Sequence, residues 1–259
     1  MTLLYCLLSL AFADGAEETK HRFVSVCKQV INHNIYDASP SEQSIYRALK
    51  EQYFLDNCEM LWKFVGQQEK LVITHKGIQD FRLLDGHSHL LYLNIEGNAL
   101  AKAENLPSIP QLRYLNLNGN QLESLKDSPE YPELKTILIE DNALNDIEDI
   151  HQFTSLEWID LSGNQITNLW PLRKLSNVKT LYVSDNKISN ILPLFYVESA
   201  VSLGLAGNPI RFCPRGTWTR VNGQKLVVPP FIQHYCIHLR QQETQSFFSF
   251  TSNSDEPQE

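Results

Sequence analysis

The stretch Leu156–Leu172, LEWIDLSGNQITNLWPL, combines two apolar periods within one short segment. Its first half, LEWIDL, ends in an alternation of apolar and polar residues that is typical of a short strand. Beyond Asn164, apolar residues recur every three positions, at Ile166, Leu169 and Leu172. That spacing favours a tight 3₁₀-like or extended return over a long helix. The stretch therefore predicts a small unit in which a strand turns directly into a return segment.

The same pattern recurs along the chain at a fixed interval of 22 residues. Each copy has the form L-x-x-L-x-L-x-x-N-x-L, with Leu, Ile, Val or Ala at the apolar positions. The asparagines of the six copies are Asn98, Asn120, Asn142, Asn164, Asn186 and Asn208. Copies that keep one phase are the sequence signature of leucine-rich repeats, each of which must bury its apolar edge against its neighbours.

A further, degraded copy precedes these. Leu71, Ile73 and Ile78 keep the phase, but Lys76 replaces the asparagine, as is common where a terminal repeat meets a cap. We therefore predict seven repeats over residues 68–210 that stack into an α/β repeat fold, a leucine-rich-repeat solenoid. Their strands should form a parallel, concave sheet with a helical cap before it and an irregular cap after it.

The repeated asparagine is predicted to be structural. It falls where the chain leaves each strand and turns, so that backbone groups there lack a partner in the sheet. A side-chain amide both donates and accepts hydrogen bonds, and it can therefore satisfy such groups in the interior. Stacked repeats would place all of these asparagines in one ladder.

Side chains between the strand leucines point away from the core and should line the concave face. The positions that we select as candidate protein-binding residues are Tyr92, Tyr114, Leu138, Glu140, Trp158, Asp160 and Tyr182. Tyrosine and tryptophan are enriched at binding hot spots. The alternative is that these rings simply stack on their neighbours in the ladder. Residues 90–210 contain 15 Asp and Glu against 8 Lys and Arg, a balance of −7 that favours a partner with a basic patch.

The segment NQITNLWPLRKLSNVKTLYVSDNKISNILPL, residues 164–194, resembles the 22-residue repeat class of bacterial internalins and of phosphatase-regulator-type intracellular leucine-rich-repeat proteins. The internalin resemblance implies an exported bacterial protein that binds another protein on its concave face. The 49 residues after Ile210 contain no cell-wall sorting motif and are too few for the immunoglobulin-like region of surface internalins. The resemblance therefore favours a small secreted or periplasmic relative over a wall-anchored invasin.

The two ends of the chain differ from the repeats. The apolar run Leu3–Phe12 is too short to span a bilayer, and Ala11-Phe12-Ala13 has the small-x-small pattern of a signal-peptidase site. We predict a signal peptide at residues 1–13, with an N-terminal helix of a cytosolic protein as the alternative. Residues 14–67 should form the helical cap, in which Ser39-Pro40-Ser41-Glu42 is a helix start. Residues 211–250 are predicted as the C-terminal cap and residues 251–259 as a disordered tail.

Four of the five cysteines form two pairs, each within one predicted cap: Cys27 with Cys58, and Cys213 with Cys236. In an exported protein this arrangement predicts one disulfide in each cap. The alternative is that the cysteines are reduced and buried in a cytosolic protein.

Motifs for catalysis are missing from the sequence. It contains no P-loop, no G-x-G-x-x-G, no G-x-S-x-G and no H-E-x-x-H. A zinc site formed by the C-terminal cysteines with His234 and His238 on one side of a strand is disfavoured, because a disulfide explains the cysteines. His87 and His89 are predicted to be surface or loop residues. We expect no enzyme, no cofactor and no metal; the alternative is an enzyme with its site in the C-terminal cap around His234 and His238.

Charge narrows the class of partner. The net charge of −8, without a block of Lys and Arg, argues against nucleic acid. We therefore predict a non-catalytic, exported, monomeric module that binds a protein ligand on its concave face, with a secreted or periplasmic location. The alternative is a cytosolic scaffold or regulatory subunit that controls an enzyme such as a phosphatase.

Overall fold

A computed structural model of the chain describes residues 2–32, 37–197, 199–211, 213–214, 218–221, 224–238 and 241. Three helices precede the sheet: α1 (Thr2–Ile31), α2 (Pro40–Tyr53) and α3 (Cys58–Val65). The apolar segment that resembles a signal peptide lies at the start of α1, which continues without a break to Ile31. No helix in the described residues is both long and apolar enough to cross a membrane.

Helix α2 begins at the sequence SPSE because its side chains satisfy the free backbone groups of the first turn. Glu42 donates its backbone N–H to Ser39 Oγ at 3.3 Å, and Ser39 donates its own N–H to Glu42 Oε2 at 2.7 Å. Pro40 occupies the first helical position, where no backbone donor is needed. The same carboxylate binds α1 through Arg22, at 2.7 Å from Nη2. Burial opposes ionisation of Glu42, but the hydrogen bonds from Arg22 and Ser39 outweigh it and lower the pKa.

Seven short parallel strands form one sheet in which spatial order equals chain order. The strands are β1 (Lys70–Val72), β2 (Tyr92–Asn94), β3 (Tyr114–Asn116), β4 (Thr136–Leu138), β5 (Trp158–Asp160), β6 (Thr180–Tyr182) and β7 (Ser202–Gly204). Neighbouring strands pair with the 22-residue offset of the sequence, so that Leu93 lies beside Leu115. The predicted repeat solenoid and the predicted number of repeats are confirmed.

The return segments contain short 3₁₀ helices, in agreement with the three-residue apolar spacing. They span Arg82–Leu84, Ala103–Asn105, Glu148–Gln152, Trp170–Lys174 and Leu192–Tyr196. Pro171 and Pro193 lie at the start of two of them, where a missing N–H costs nothing. The central residue of β1 to β6 is buried, and together with the apolar residues of the returns it forms one continuous core. A fully buried leucine such as Leu115 contributes about 1.5–3 kcal/mol relative to an exposed one.

Both predicted cysteine pairs are bonded in the structure. Cys27 in α1 joins Cys58 at the start of α3, with their Cα atoms 5.8 Å apart. Cys213, after the last repeat, joins Cys236, with a Cα separation of 5.5 Å. Each disulfide thus connects elements at one end of the solenoid.

The C-terminal region contains an antiparallel hairpin and a helix. The hairpin pairs β8 (Trp218–Val221) with β9 (Gln224–Val227), and residues 230–238 are helical. His234 and His238 lie on this helix and not on the strand that the disfavoured zinc site would require, because the apolar positions Ile232 and Cys236 recur at helical spacing and are buried. The predicted tail, residues 251–259, lies outside the described residues.

Candidate protein-binding surface

The outward side chains of the sheet align in columns because every strand pairs with the same offset. The first column contains Lys70, Tyr92, Tyr114, Thr136, Trp158, Thr180 and Ser202; the second contains Val72, Asn94, Asn116, Leu138, Asp160, Tyr182 and Gly204. Each column lies on the face opposite the buried central strand residues. The sheet therefore presents a continuous surface whose composition is set by these two positions of each repeat.

Two tyrosines form a stacked cluster on β2 and β3. The rings of Tyr92 and Tyr114 lie 4.1 Å apart with an angle of 5° between their planes. Lys70 Nζ lies 4.5 Å from the centre of the Tyr92 ring, a cation–π contact. Burial, and then the hydrogen bond between the Tyr114 and Tyr92 hydroxyls, raises the pKa of Tyr114 to about 12. Both rings already have stacking partners, as the alternative interpretation of the aromatics expected.

A second aromatic cluster, Trp158 and Tyr182, lies on β5 and β6 and has an open face. The two rings meet edge to face at 6.2 Å and 75°. Trp158 remains 45% exposed, and its register partner Thr180 leaves room beside it. Tyr182 lies against Gly204, where a Cβ would come within 2.6 Å of the ring. The glycine thus makes room for the ring, while the indole presents apolar surface to solvent.

Polar side chains between the two clusters are fixed by hydrogen bonds. Asn116 Nδ2 donates to Glu96 Oε2 at 3.2 Å, and Asn118 Nδ2 donates to Glu140 Oε2 at 3.3 Å. The Glu140 N–H donates back to Asn118 Oδ1 at 2.8 Å. Burial, and then the nearby charge of Asp160, raises the pKa of Glu140. Negative charge is therefore concentrated on this part of the face and held in place.

Leu138 and Asp160 lie beside the second cluster. They are register partners on β4 and β5, and each is half-buried. Asp160 Oδ1 accepts the backbone N–H of Ser162 at 3.0 Å, which fixes the carboxylate at the end of its strand. Trp158, Asp160, Tyr182 and Leu138 thus form one patch, which we call the β4–β6 patch, whereas the stacked tyrosines lie roughly 10 Å away across two strand spacings.

Two contributors to this surface were not among the residues selected from the sequence. Lys70 belongs to the degraded first repeat, where its alignment with Tyr92 was the available signal. Gly204 aligns with Tyr182, and its importance follows only from the direction of that ring.

The histidine at position 87 corrects an expectation. His87 is buried, its Nδ1 lies 2.8 Å from the carbonyl oxygen of Leu84, and its ring packs edge to face on Trp62 at 4.4 Å. His87 lies in the loop between the 3₁₀ helix Arg82–Leu84 and β2, but it is not a surface residue, because α3 covers it. His89 is exposed. Among the described residues no group of three or more His, Cys, Asp or Glu could hold a metal ion.

Comparison with known proteins identifies the repeat. A family model described as Leucine rich repeat matches residues 110–166, and one described as Leucine Rich repeats (2 copies) matches residues 154–196. No curated protein matches the chain. Similar solved structures include internalin C2 from Listeria monocytogenes str. 4b F2365, with a TM-score of 0.48 and 20% identity over 65% of this chain and 85% of that chain. A TLR13–ssRNA13 complex has the same TM-score and identity over 52% of this chain and 21% of that chain.

Proposed function

We propose that this leucine-rich-repeat protein is a non-catalytic, exported module that binds a protein ligand through the β4–β6 patch. The matched repeats support a protein–protein interaction module, a class that is typically non-catalytic. The observation that carries the proposal is the 45% exposure of Trp158 in edge-to-face contact with Tyr182. Leu138 lies beside Asp160 on the neighbouring strand. A tryptophan held open on a rigid sheet can anchor a partner at small entropic cost, because little of the site has to be ordered on binding.

The charges of the patch favour a ligand with a basic side chain. Burial and then the nearby charge of Asp160 oppose ionisation of Glu140, which raises the pKa of its carboxyl group. An incoming lysine or arginine would compensate both charges. We therefore propose a ligand that combines an apolar group for Trp158 with a cation for these carboxylates.

Export is proposed from the disulfides and from the apolar start of α1. Disulfides persist in oxidising compartments and are rare in the cytosol. The pairs Cys27–Cys58 and Cys213–Cys236 are therefore compatible with a secreted or periplasmic location. We expect a monomer, because helices cover the first repeat and the helix of residues 230–238 packs on the last one through Tyr235, whose hydroxyl donates to the Leu205 carbonyl at 3.3 Å.

The second candidate is a cytosolic scaffold or regulatory subunit of an enzyme such as a phosphatase. It requires free thiols and an uncleaved N-terminus. Intact mass of the protein from its native cell fraction, before and after reduction and alkylation, distinguishes the two. Export predicts the loss of residues 1–13 and four thiols that react only after reduction; a full-length chain with reactive thiols would contradict it.

Trp158→Ala tests the binding surface, with Trp170→Ala as the matched control. Trp170 is 39% exposed on the 3₁₀ return of the same repeat, away from the strands. Wild type and variants serve as bait on extracts from the source, and affinity is then measured for the protein captured by wild type. We expect Trp158→Ala to weaken binding about 30-fold, corresponding to a hot-spot loss of about 2 kcal/mol.

Tyr182→Ala should also weaken binding, whereas Trp170→Ala should bind as wild type does. Circular dichroism melting of each variant controls for folding, since Trp158 and Trp170 are both exposed. If Trp158→Ala and Tyr182→Ala both bind with wild-type affinity, or if Trp170→Ala loses as much affinity as they do, the ligand does not dock on the β4–β6 patch.

A further inference from the structure

His234 and His238 form a close pair at the C-terminal end of the solenoid. Both belong to the helix of residues 230–238, where an i,i+4 spacing places them on one face in successive turns. Their Nε2 atoms are 3.2 Å apart, and their ring centres are 4.5 Å apart. Both side chains are exposed. The pair therefore points two ring nitrogens of the same type at one small region of space.

The separation of the two nitrogens suits a shared metal ion. Imidazole nitrogens bind zinc at about 2.0–2.1 Å, so an ion placed equally far from both would form an N–metal–N angle of about 100°. This lies between the right angle of a square-planar site and the tetrahedral angle. We propose that His234 and His238 chelate a divalent transition-metal ion through their Nε2 atoms.

The helix that carries the pair is fixed by its opposite face. Cys236 is bonded to Cys213, and Ile232 is fully buried. These contacts restrict the rotation of the helix about its axis. The two histidines are therefore presented by a stable backbone, which lowers the entropic cost of closing the chelate.

Space for the remaining ligands lies next to the pair. His234 and His238 border a cavity of about 380 Å³ that is also lined by Val201 and Ser202 at the start of β7. Ser202 is the last member of the first outward column of the sheet. The cavity has room for several waters, each of which takes about 30 Å³ in the liquid. The open coordination positions of the metal ion would therefore be filled by water and would lie at the β7 edge of the sheet.

The metal class follows from the ligands. Two neutral imidazoles suit Cu²⁺, Ni²⁺ and Zn²⁺, with Cu²⁺ bound most tightly, whereas Mg²⁺ and Ca²⁺ require oxygen ligands. The cysteines of this region cannot contribute thiolates, because Cys213 and Cys236 are bonded to each other. Without metal, one ring donates its Nε2–H to the other, an arrangement that already holds the nitrogens at chelating distance.

The test uses the full chain, free of any histidine tag and kept oxidised, titrated with CuCl₂, ZnCl₂, NiCl₂ or MgCl₂ in a calorimeter. The variants are His234→Gln and His238→Gln, with His89→Gln as the control for an exposed histidine elsewhere. We expect one Cu²⁺ per chain, weaker Ni²⁺ and Zn²⁺ binding, and no Mg²⁺ signal. Each variant of the pair should weaken Cu²⁺ binding about 100-fold, because the second ligand acts intramolecularly; the control should not.

Electron paramagnetic resonance of the Cu²⁺ complex provides an independent readout, with hyperfine structure from two imidazole nitrogens expected in wild type and from one in each variant. Unchanged melting temperatures of the metal-free variants would show that folding is preserved. The proposal is overturned if the double variant binds Cu²⁺ with wild-type affinity, or if the wild-type spectrum contains fewer than two imidazole nitrogens.

Discussion

Individual asparagines connect one repeat to the next. Asn164 is 7% exposed; its Nδ2 donates to the carbonyl oxygens of Ile139 at 2.8 Å and Leu161 at 3.0 Å, while its Oδ1 accepts the N–H of Leu144 at 2.9 Å. Ile139 and Leu144 belong to the preceding repeat. The same pattern begins at Asn98, whose Oδ1 accepts the N–H of Ile78 at 3.2 Å in the degraded first copy. One short side chain thus replaces the sheet hydrogen bonds that the turn lacks.

Asn164→Ala should lower the free energy of unfolding by about 3 kcal/mol or more, because it leaves several buried backbone groups without partners. The matched control is Asn177→Ala, since Asn177 is exposed and donates a single hydrogen bond, to the Thr154 carbonyl. Urea unfolding followed by circular dichroism measures both. A loss of equal size in the two variants would contradict the buried role of the ladder.

The residue before each ladder asparagine adopts a left-handed conformation. The column consists of His75, Gly97, Gly119, Asp141, Gly163, Asp185 and Gly207, all with positive φ, and Lys76 follows His75 in the first copy. Only glycine adopts this region without cost, and aspartate is among the residues that tolerate it. The alternation of Gly and Asp was visible in the sequence and indicates a constrained turn.

The cost of a side chain at this position can be compared between two glycines of nearly equal φ, by Gly163→Ala at +66° and Gly119→Ala at +63°. A Cβ at Gly163 would meet the Asp141 side chain and its backbone nitrogen, whereas at Gly119 the nearest atoms are 3.7 Å away. We expect a loss of about 1 kcal/mol for Gly119→Ala from the backbone alone. Gly163→Ala should lose more, because the crowding adds to the strain. Chemical denaturation checks this order, and the reverse order would contradict the steric account.

Among the secondary-structure elements, helix α3 packs against the first repeats through a contact with His87. His87 packs on Trp62 of α3, and in the described part of the chain its Nε2 is buried without a hydrogen-bond partner. Burial lowers the pKa of His87, although hydrogen bonding to the backbone at Leu84 and Asp85 opposes this. The docking of the N-terminal helices therefore depends on a neutral imidazole.

The lowered pKa of His87 predicts a loss of stability on acidification. The unfolded chain, with a histidine pKa of about 6.5, takes up this proton before the folded chain does. The contribution of His87 to stability is thus complete above about pH 6.5 and decreases as the pH falls through the folded pKa. Denaturation midpoints between pH 7.5 and 5 should fall more steeply for wild type than for His87→Gln.

The comparison between wild type and variant is needed because other groups titrate near this site. Asp85 has a pKa raised by burial and contributes with the opposite sign. The charged residues Glu17 and Lys20 line a cavity that His87 also borders. These groups are common to both proteins, and their contributions cancel in the difference. If the denaturation midpoints of wild type and His87→Gln change equally with pH, protonation of His87 does not affect stability.

The whole molecule is a linear stack in which each repeat contacts its neighbours, so its stability is close to a sum of repeat and interface terms. Both ends are covered by covalently linked elements, with a sequence separation of 31 for Cys27–Cys58 and of 23 for Cys213–Cys236. Local opening should therefore begin at an end whenever its covalent link is removed.

Two double variants remove one disulfide each and serve as controls for each other: Cys27→Ala/Cys58→Ala and Cys213→Ala/Cys236→Ala. Each double variant should lower the free energy of unfolding by about 3 kcal/mol, because the unfolded chain is no longer closed into a loop and gains conformational entropy. Hydrogen exchange should then become faster in β1 and β2 for the first variant and in β6 and β7 for the second, with β3 and β4 the least affected in both. Uniform acceleration along the sheet would show that the solenoid opens as one cooperative unit instead.

The sequence by itself determined the solenoid, its seven parallel strands, their 22-residue register and the two disulfides. These features follow from a period that is repeated along the chain and from cysteines near in sequence, so local spacing carries them. Tertiary structure alone decided which aromatics stack and which stay open, that α3 buries His87 against Trp62, and that His234 and His238 meet on a helix. The physical reason is that side-chain direction and the packing of non-repeated caps depend on contacts between elements, which a period along the chain does not encode.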